Sequence, residues 1–199
     1  MVRAYDPDRP VGRSTLLGLL DLATRAPSAG FTQGWDFVVL DTAEQRERFW
    51  STGADPEGPP DAWLTGMRTA PALVVCCSDP QRYLGRYAEP DKGWFDRSPE
   101  RWPVPYWDVD TGMAAHTLLL AAVDAGLAGC FFGVPAERLG QVREALGVPD
   151  DRNLVGVVAL GHPAPDRRSP SLRRGRRPLA DVVHHGRFGA GVPPRPPQD

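Results

Sequence analysis

Lysine is almost missing from this chain: Lys92 stands alone among 23 basic residues, and the others are arginine. Any anion held here by a side-chain cation is therefore held by arginine, whose planar fork suits a phosphate. Charge of one sign is missing as well, because 23 basic against 25 acidic residues leave a net charge of −2. That balance excludes a general role on nucleic acid or on a membrane surface. Cysteine is scarce: Cys76 and Cys77 are neighbours and Cys130 stands apart. The pattern offers neither a disulfide framework nor a C-x-x-C redox or zinc pair, and reads as three buried, inert thiols. No signal or transit peptide and no long apolar run is present, so the expected compartment is the cytoplasm, with no membrane partner.

The common catalytic signatures are also absent. There is no P-loop, no G-x-G-x-x-G after a strand, no G-x-S-x-G elbow and no H-E-x-x-H. The four histidines, His116, His162, His184 and His185, are dispersed or back to back. Adjacent side chains point in different directions on any regular element, so no metal site is expected. Carboxylates are scattered singly. With no catalytic side chain to assign, the chemistry of an enzyme built from this sequence falls to a cofactor.

What is present is organised around DVDTGMAAHTLLLAAVDAGLAGCFFG, residues 108–133. Asp108 and Asp110 suit the first turn of a helix as caps, and Gly126 suits its left-handed close. Between them apolar residues cover most of the cylinder, so the helix must be enclosed by protein, either its own chain alone or shared with a second subunit. Before it, Arg13 to Arg25 reads as an amphipathic helix, stopped by Pro27. A mostly apolar strand over Asp36 to Leu40 is expected to be buried on both faces. Ala43 to Phe49 and Ala62 to Arg68 read as short helices, Ser51 to Pro60 as a loop, and PALVVCC as an interior strand. Asp79 to Trp107 holds seven aromatic residues without a steady period and reads as a long lid or pocket-wall loop. After the central helix come a strand over Gly129 to Phe132, a helix opened by Pro135, a strong strand NLVGVVALG, an arginine-rich segment and a disordered tail. These elements make a single α+β domain rather than a purely parallel sheet.

Two stretches suggest a cofactor site. Ala26 to Gln33 combines Ser28, Ala29 and Gly30, which allow close backbone approach, beside Trp35. Arg173, Arg174, Arg176 and Arg177 form a cluster able to hold a dianionic phosphate. Taken alone, the first could equally be an ordinary helix-to-strand turn and the second a solvated basic surface.

The segment Ala26-Pro-Ser-Ala-Gly-Phe-Thr-Gln-Gly-Trp-Asp-Phe-Val-Val resembles the A-P-S-x-x-N-x-Q-P-W-x-F-V-V segment of the FMN-dependent nitroreductases, the nitro-FMN reductase superfamily. Gly126-Leu127, Leu146 to Pro149, Leu160 to Pro163 and the Arg174-Gly-Arg176-Arg-Pro-Leu run carry the same resemblance, which extends from about Val2 to His185. It implies a mixed, largely antiparallel sheet flanked by helices, in a flavin-binding domain over residues 1–188 with a Pro/Gly-rich tail at 189–199. It further implies a homodimer with FMN in a cleft between subunits. By position, Ser28, Ala29, Gly30 and Gln33 would line the ring and ribityl chain, Phe132 and Gly133 would pass over the ring, and Arg3, Arg174 and Arg176 would hold the phosphate. The late arginines and the small-residue turn are thus expected to converge on one nucleotide.

The sequence departs from the family pattern at three places. Phe31 stands where the family has Asn, and Gly34 where it has Pro, which removes a polar flavin contact and makes the pocket more aromatic. The first arginine and the serine of the N-terminal phosphate motif have no counterpart, which implies a start assigned too late or a shortened variant. The implied activity is transfer of hydride from NADH or NADPH through the flavin to a small electron-poor acceptor, a nitroaromatic or quinone. Phe31, Trp94, Tyr106 and Trp107 are the candidates for the acceptor pocket. Two other readings stay open: a specialised flavin-linked oxidase or flavin-modifying enzyme of the same fold, and a non-catalytic flavin-binding or dimerising module.

Overall fold

The computed structural model describes residues 1–54, 61–166 and 169–191. They divide into two units, the first Met1–Asp166 and the second from Arg167 onward. The described residues of the second unit contain two short 3-10 turns, Pro170–Arg174 and Leu179–Asp181. The expected flavin-binding domain, 1–188, spans both units. Residues 192–199 of the expected tail and most of the expected loop at 51–60 lie outside the described residues.

The first unit is built on four antiparallel strands, β1 (Trp35–Leu40), β2 (Ala72–Ser78), β3 (Ala128–Phe132) and β4 (Asn153–Gly161), in the order β1-β2-β4-β3. Among the described residues six α-helices accompany them: α1 (Arg13–Ala23), α2 (Ala43–Gly53), α3 (Ala62–Met67), α4 (Pro80–Tyr87), α5 (Tyr106–Asp124) and α6 (Leu139–Leu146). Strand alternation sorts the core into two layers. Ala72, Val74 and Cys76 of β2 face Leu16 and Leu19 of α1 and Ala115 and Leu118 of α5. Leu73, Val75 and Cys77 face Phe49 and Trp50 of α2 and Val142 of α6. The α+β architecture and the antiparallel sheet are those expected.

The central strands β2 and β4 match the expected apolar runs because interior strands must be apolar on both faces. β1 does not behave that way. It forms a sheet edge, with Asp36 exposed and Phe37 to Val39 only partly covered, so the expectation of two-sided burial fails there. α2 runs four residues past the expected end, started by a capping box in which Thr42 and Gln45 exchange side-chain and backbone bonds. The expected lid loop contains a helix, α4, capped by Asp79 and opened by Pro80, and a 3-10 turn at Pro99–Arg101.

The central helix α5 begins at Tyr106, two residues before the expected caps. Asp108 and Asp110 therefore lie inside it, and their carboxylates are used for tertiary contacts instead. At the other end Gly126 adopts φ 72° as expected, and Leu127 N–H reaches back to Ala122 O at 2.8 Å. On the surface of the first unit α5 leaves an apolar stripe uncovered: Tyr106, Val109, Met113, Leu120 and Val123 are all exposed.

Candidate functional site

The Ala26–Trp35 connection concentrates left-handed backbone. Three residues in four have left-handed backbones, Gly30 (φ 62°), Phe31 (φ 54°) and Gln33 (φ 53°). Only glycine adopts that region freely, so Phe31 and Gln33 each store strain of about 1–3 kcal/mol. Non-glycine residues in such conformations persist only where their surroundings dictate them, and they collect at ligand sites.

The loop is held from inside and from outside. Within it, Ser28 Oγ accepts from Gln33 N at 2.9 Å and Thr32 Oγ1 donates to Ala29 O at 2.6 Å. From α5, the buried Asp110 carboxylate accepts from Ala29 N at 2.8 Å with Oδ2. The same oxygen accepts from the Tyr83 hydroxyl at 2.8 Å. Burial and the hydrogen bond to Asp110 push the Tyr83 hydroxyl pKa well above its ordinary value. From α4, Arg86 Nε donates to Gly30 O at 3.0 Å, and the Tyr87 ring lies where a side chain on Gly30 would project, 2.8 Å from an added Cβ. Arg86 is itself fixed by a two-point ion pair with Asp91, whose carboxyl it holds below the usual carboxylate range. Gly34 packs directly on Tyr83, where any larger residue would collide. The tyrosine thus accounts for the glycine at a position where proline was the family expectation.

Behind α4 lies an aromatic cluster centred on Trp102, with ring centroids 4.5 Å from Tyr87, 5.4 Å from Trp94, 5.8 Å from Tyr106, 5.9 Å from Tyr83 and 6.0 Å from Trp107. Trp94 and Trp107 are partly buried in this cluster and Tyr106 is exposed at its margin. Phe31 projects from the loop tip at 79% exposure.

The other expected ring-contacting residues lie elsewhere. Phe132 and Gly133 stand at the end of β3, the sheet edge opposite β1. Three interstrand spacings separate the two edges, about 14 Å. Within one protomer the Ser28–Gln33 loop and Phe132 therefore do not meet. Phe132 stacks on Trp50 with centroids 5.7 Å apart and planes within 7°. A cavity of about 290 Å³ opens there, lined by Phe49, Trp50, Trp63, Phe132 and Gly133 among others. Its size is at the lower end of the range for small-molecule sites. Arg3 is partly exposed, with its N–H bonded to Asp166 at 3.0 Å and its carbonyl against Gly66. Arg174 and Arg176 are exposed residues of the second unit.

Sequence reasoning missed Asp110, Tyr83 and Arg86 as loop anchors and Trp50 and Trp63 as cavity walls. A second carboxylate near the start of a largely apolar helix was the available signal for Asp110. The Asp79-Pro80 pair was the signal for α4. Among the described residues no group of three or more potential metal ligands occurs, and no helix is long and apolar enough to cross a membrane.

Residues 1–162 match the model of the Nitroreductase family. A 5,6-dimethylbenzimidazole synthase of Rhodospirillum rubrum is 32% identical over 190 residues, covering 87% of this chain and 82% of its own. An NADPH-dependent oxidoreductase of Staphylococcus aureus (strain USA300) is 23% identical over 185 residues, 92% of this chain and 68% of its own. In fold, the chain is similar to an FMN-dependent nitroreductase from Clostridium difficile R20291, with TM-score 0.67, 21% identity and 94% of each chain covered.

Proposed function

Because the chain belongs to the Nitroreductase family, we propose that it is an FMN-dependent oxidoreductase that uses NADH or NADPH to reduce a small electron-poor acceptor of nitroaromatic or quinone type. FMN, when bound, would supply the hydride-transfer chemistry between the reduced nicotinamide and the acceptor. The observation that carries this reading is the strained, multiply anchored loop Ala26–Trp35. It offers a hydroxyl at Ser28, an amide at Gln33 and small residues at Ala29 and Gly30, which fit a flat ring with polar edges.

In this reading Ser28, Ala29, Gly30 and Gln33 would hold the ring and ribityl chain, and Arg3 the phosphate. Phe132 and Gly133 cover the ring from a second copy of the chain. Two facts support that second copy. The loop and Phe132 occupy opposite sheet edges, and the stripe Tyr106, Val109, Met113, Leu120 and Val123 on α5 is left uncovered. Phe31, Trp94, Tyr106 and Trp107 wall the acceptor side. No side-chain acid or base is needed for hydride transfer; the chain orients the reactants, stacks against them and excludes water.

The deciding experiment is the anaerobic absorbance of the FMN-loaded protein before and after NADH or NADPH. Bleaching of the flavin bands by either reductant is the expected result. A loaded protein that neither reductant bleaches defeats the reading.

A second reading is favoured by the similarity to the 5,6-dimethylbenzimidazole synthase over most of both chains. The site would then act on the flavin itself as a specialised oxidation. Loss of reduced FMN on admission of oxygen, followed by chromatography of the products, separates this outcome from simple turnover.

A further inference from the structure

Asp110 presents an energetic puzzle. It is 1% exposed within the largely apolar helix α5, and a buried carboxylate is costly unless its oxygens are well bonded. Its partners are a backbone N–H of the Ser28 loop and the hydroxyl of the fully buried Tyr83. Neither bond ties α5 to the sheet. The first holds the loop directly and the second holds the tyrosine packed on Gly34 at its end; among the described residues this is the one loop left-handed at two non-glycine residues, and Arg86 bonds the carbonyl at its tip.

We propose that Asp110, backed by Tyr83 and assisted by Arg86, is a positioning residue that presets the Ser28–Gln33 loop in its strained form before the flavin arrives. The proposal rests on the flavin reading above. Asp110 does not touch the ring. It holds the Ala29 amide, which fixes where the Ser28 hydroxyl and the Gln33 side chain lie. A loop ordered in advance loses little freedom on binding, so affinity depends on these anchors although none of them contacts the cofactor. Releasing the loop also lets Phe31 and Gln33 relax. The stability of the flavin-free protein should therefore change little while cofactor binding weakens.

The test uses the full chain as wild type, Asp110→Asn, Tyr83→Phe and Arg86→Gln. Amide hydrogen exchange on the flavin-free protein should show the Ala29 and Gln33 amides exchanging about tenfold faster or more in Asp110→Asn. Titration with FMN should show a Kd raised about tenfold for Asp110→Asn and about fivefold for Tyr83→Phe and Arg86→Gln, as expected for lost hydrogen bonds to charged groups. The visible circular dichroism of the bound flavin should change as well. A merely structural role would instead lower the melting temperature of the flavin-free protein and leave FMN affinity and the dichroism band unaltered, which overturns the proposal. Tyr83→Phe and Arg86→Gln keep their bulk and decide the matter if Asp110→Asn does not fold. Failure of the wild type to bind FMN, with the exchange difference present, sinks the flavin reading and with it the cofactor role. FMN binding by the wild type with no exchange difference sinks the positioning role alone.

Discussion

Truncating Leu120 to alanine separates the fold of the protomer from the association of two protomers. Leu120 sits on the uncovered stripe of α5 and is 58% exposed. Full burial of a leucine side chain is worth about 1.5–3 kcal/mol. If a second copy covers the 58% now exposed, each protomer gains about 0.9–1.7 kcal/mol from this residue, and a two-fold interface counts it twice. Alanine retains Cβ, so the loss on truncation is roughly 1.5–2.5 kcal/mol, or about tenfold to sixtyfold in the dimer dissociation constant. The protomer itself should lose nothing measurable, because the site is solvent-facing and alanine is the best helix former. Sedimentation velocity over a concentration series measures the dissociation constant, and far-UV circular dichroism checks the fold. The expected result is an unaltered spectrum with the monomer–dimer midpoint moved to higher concentration. Identical association for both proteins, or a wild type that stays monomeric at tens of micromolar, would refute the pairing through α5 and the shared flavin site with it.

Arg152→Ala removes the cation that bonds Asp36 at 3.0 Å, the buried Asp79 at 2.9 Å and Asp151 at 2.9 Å. Asp79 keeps Arg82 at 3.3 Å, so the expected cost is about 2–3 kcal/mol, below that of a wholly orphaned charge, read from urea denaturation. Burial pushes Cys76 up to about 12 and Cys77 up to about 11, from 9.0. In the unfolded chain these thiols lose their protons near pH 9 while the folded ones keep them, so the unfolded state binds fewer protons and stability falls as pH rises above about 9. A thermal midpoint that declines between pH 9 and 11, and thiols that react with Ellman's reagent at pH 8 only after denaturation, are the expected observations. Rapid labelling of the folded protein would contradict the burial.

Legibility in the sequence followed the strength of local signals. β2 and β4 were readable to within a residue or two because an interior antiparallel strand has no polar face. β1 has nearly the same composition but lies at an edge, and edge position is a property of topology that a single apolar run does not carry. α4 escaped because its buried side chains, Tyr83 and Leu84, are adjacent rather than spaced along a stripe, although Asp79 and Pro80 mark its start. At the site, the Ser28–Gln33 motif was visible through family resemblance. Its anchors were not, since Asp110 is 81 residues away and an acidic residue near a helix start reads as a cap until the true start is known. Phe132 and Gly133 were found as a motif, but their separation from the loop emerges only from the strand order.

Trp102 gives this protein a built-in optical gauge. Light absorbed by the rings packed about it is shared among them, and Tyr87, the closest of these neighbours, also touches Gly30. Loosening of the nucleotide loop should therefore alter tryptophan emission without any attached dye, and a flavin docked nearby should drain that emission by energy transfer. Ligand arrival and loop order can then be followed in one cuvette, on the unmodified chain, at the speed of a stopped-flow mixer.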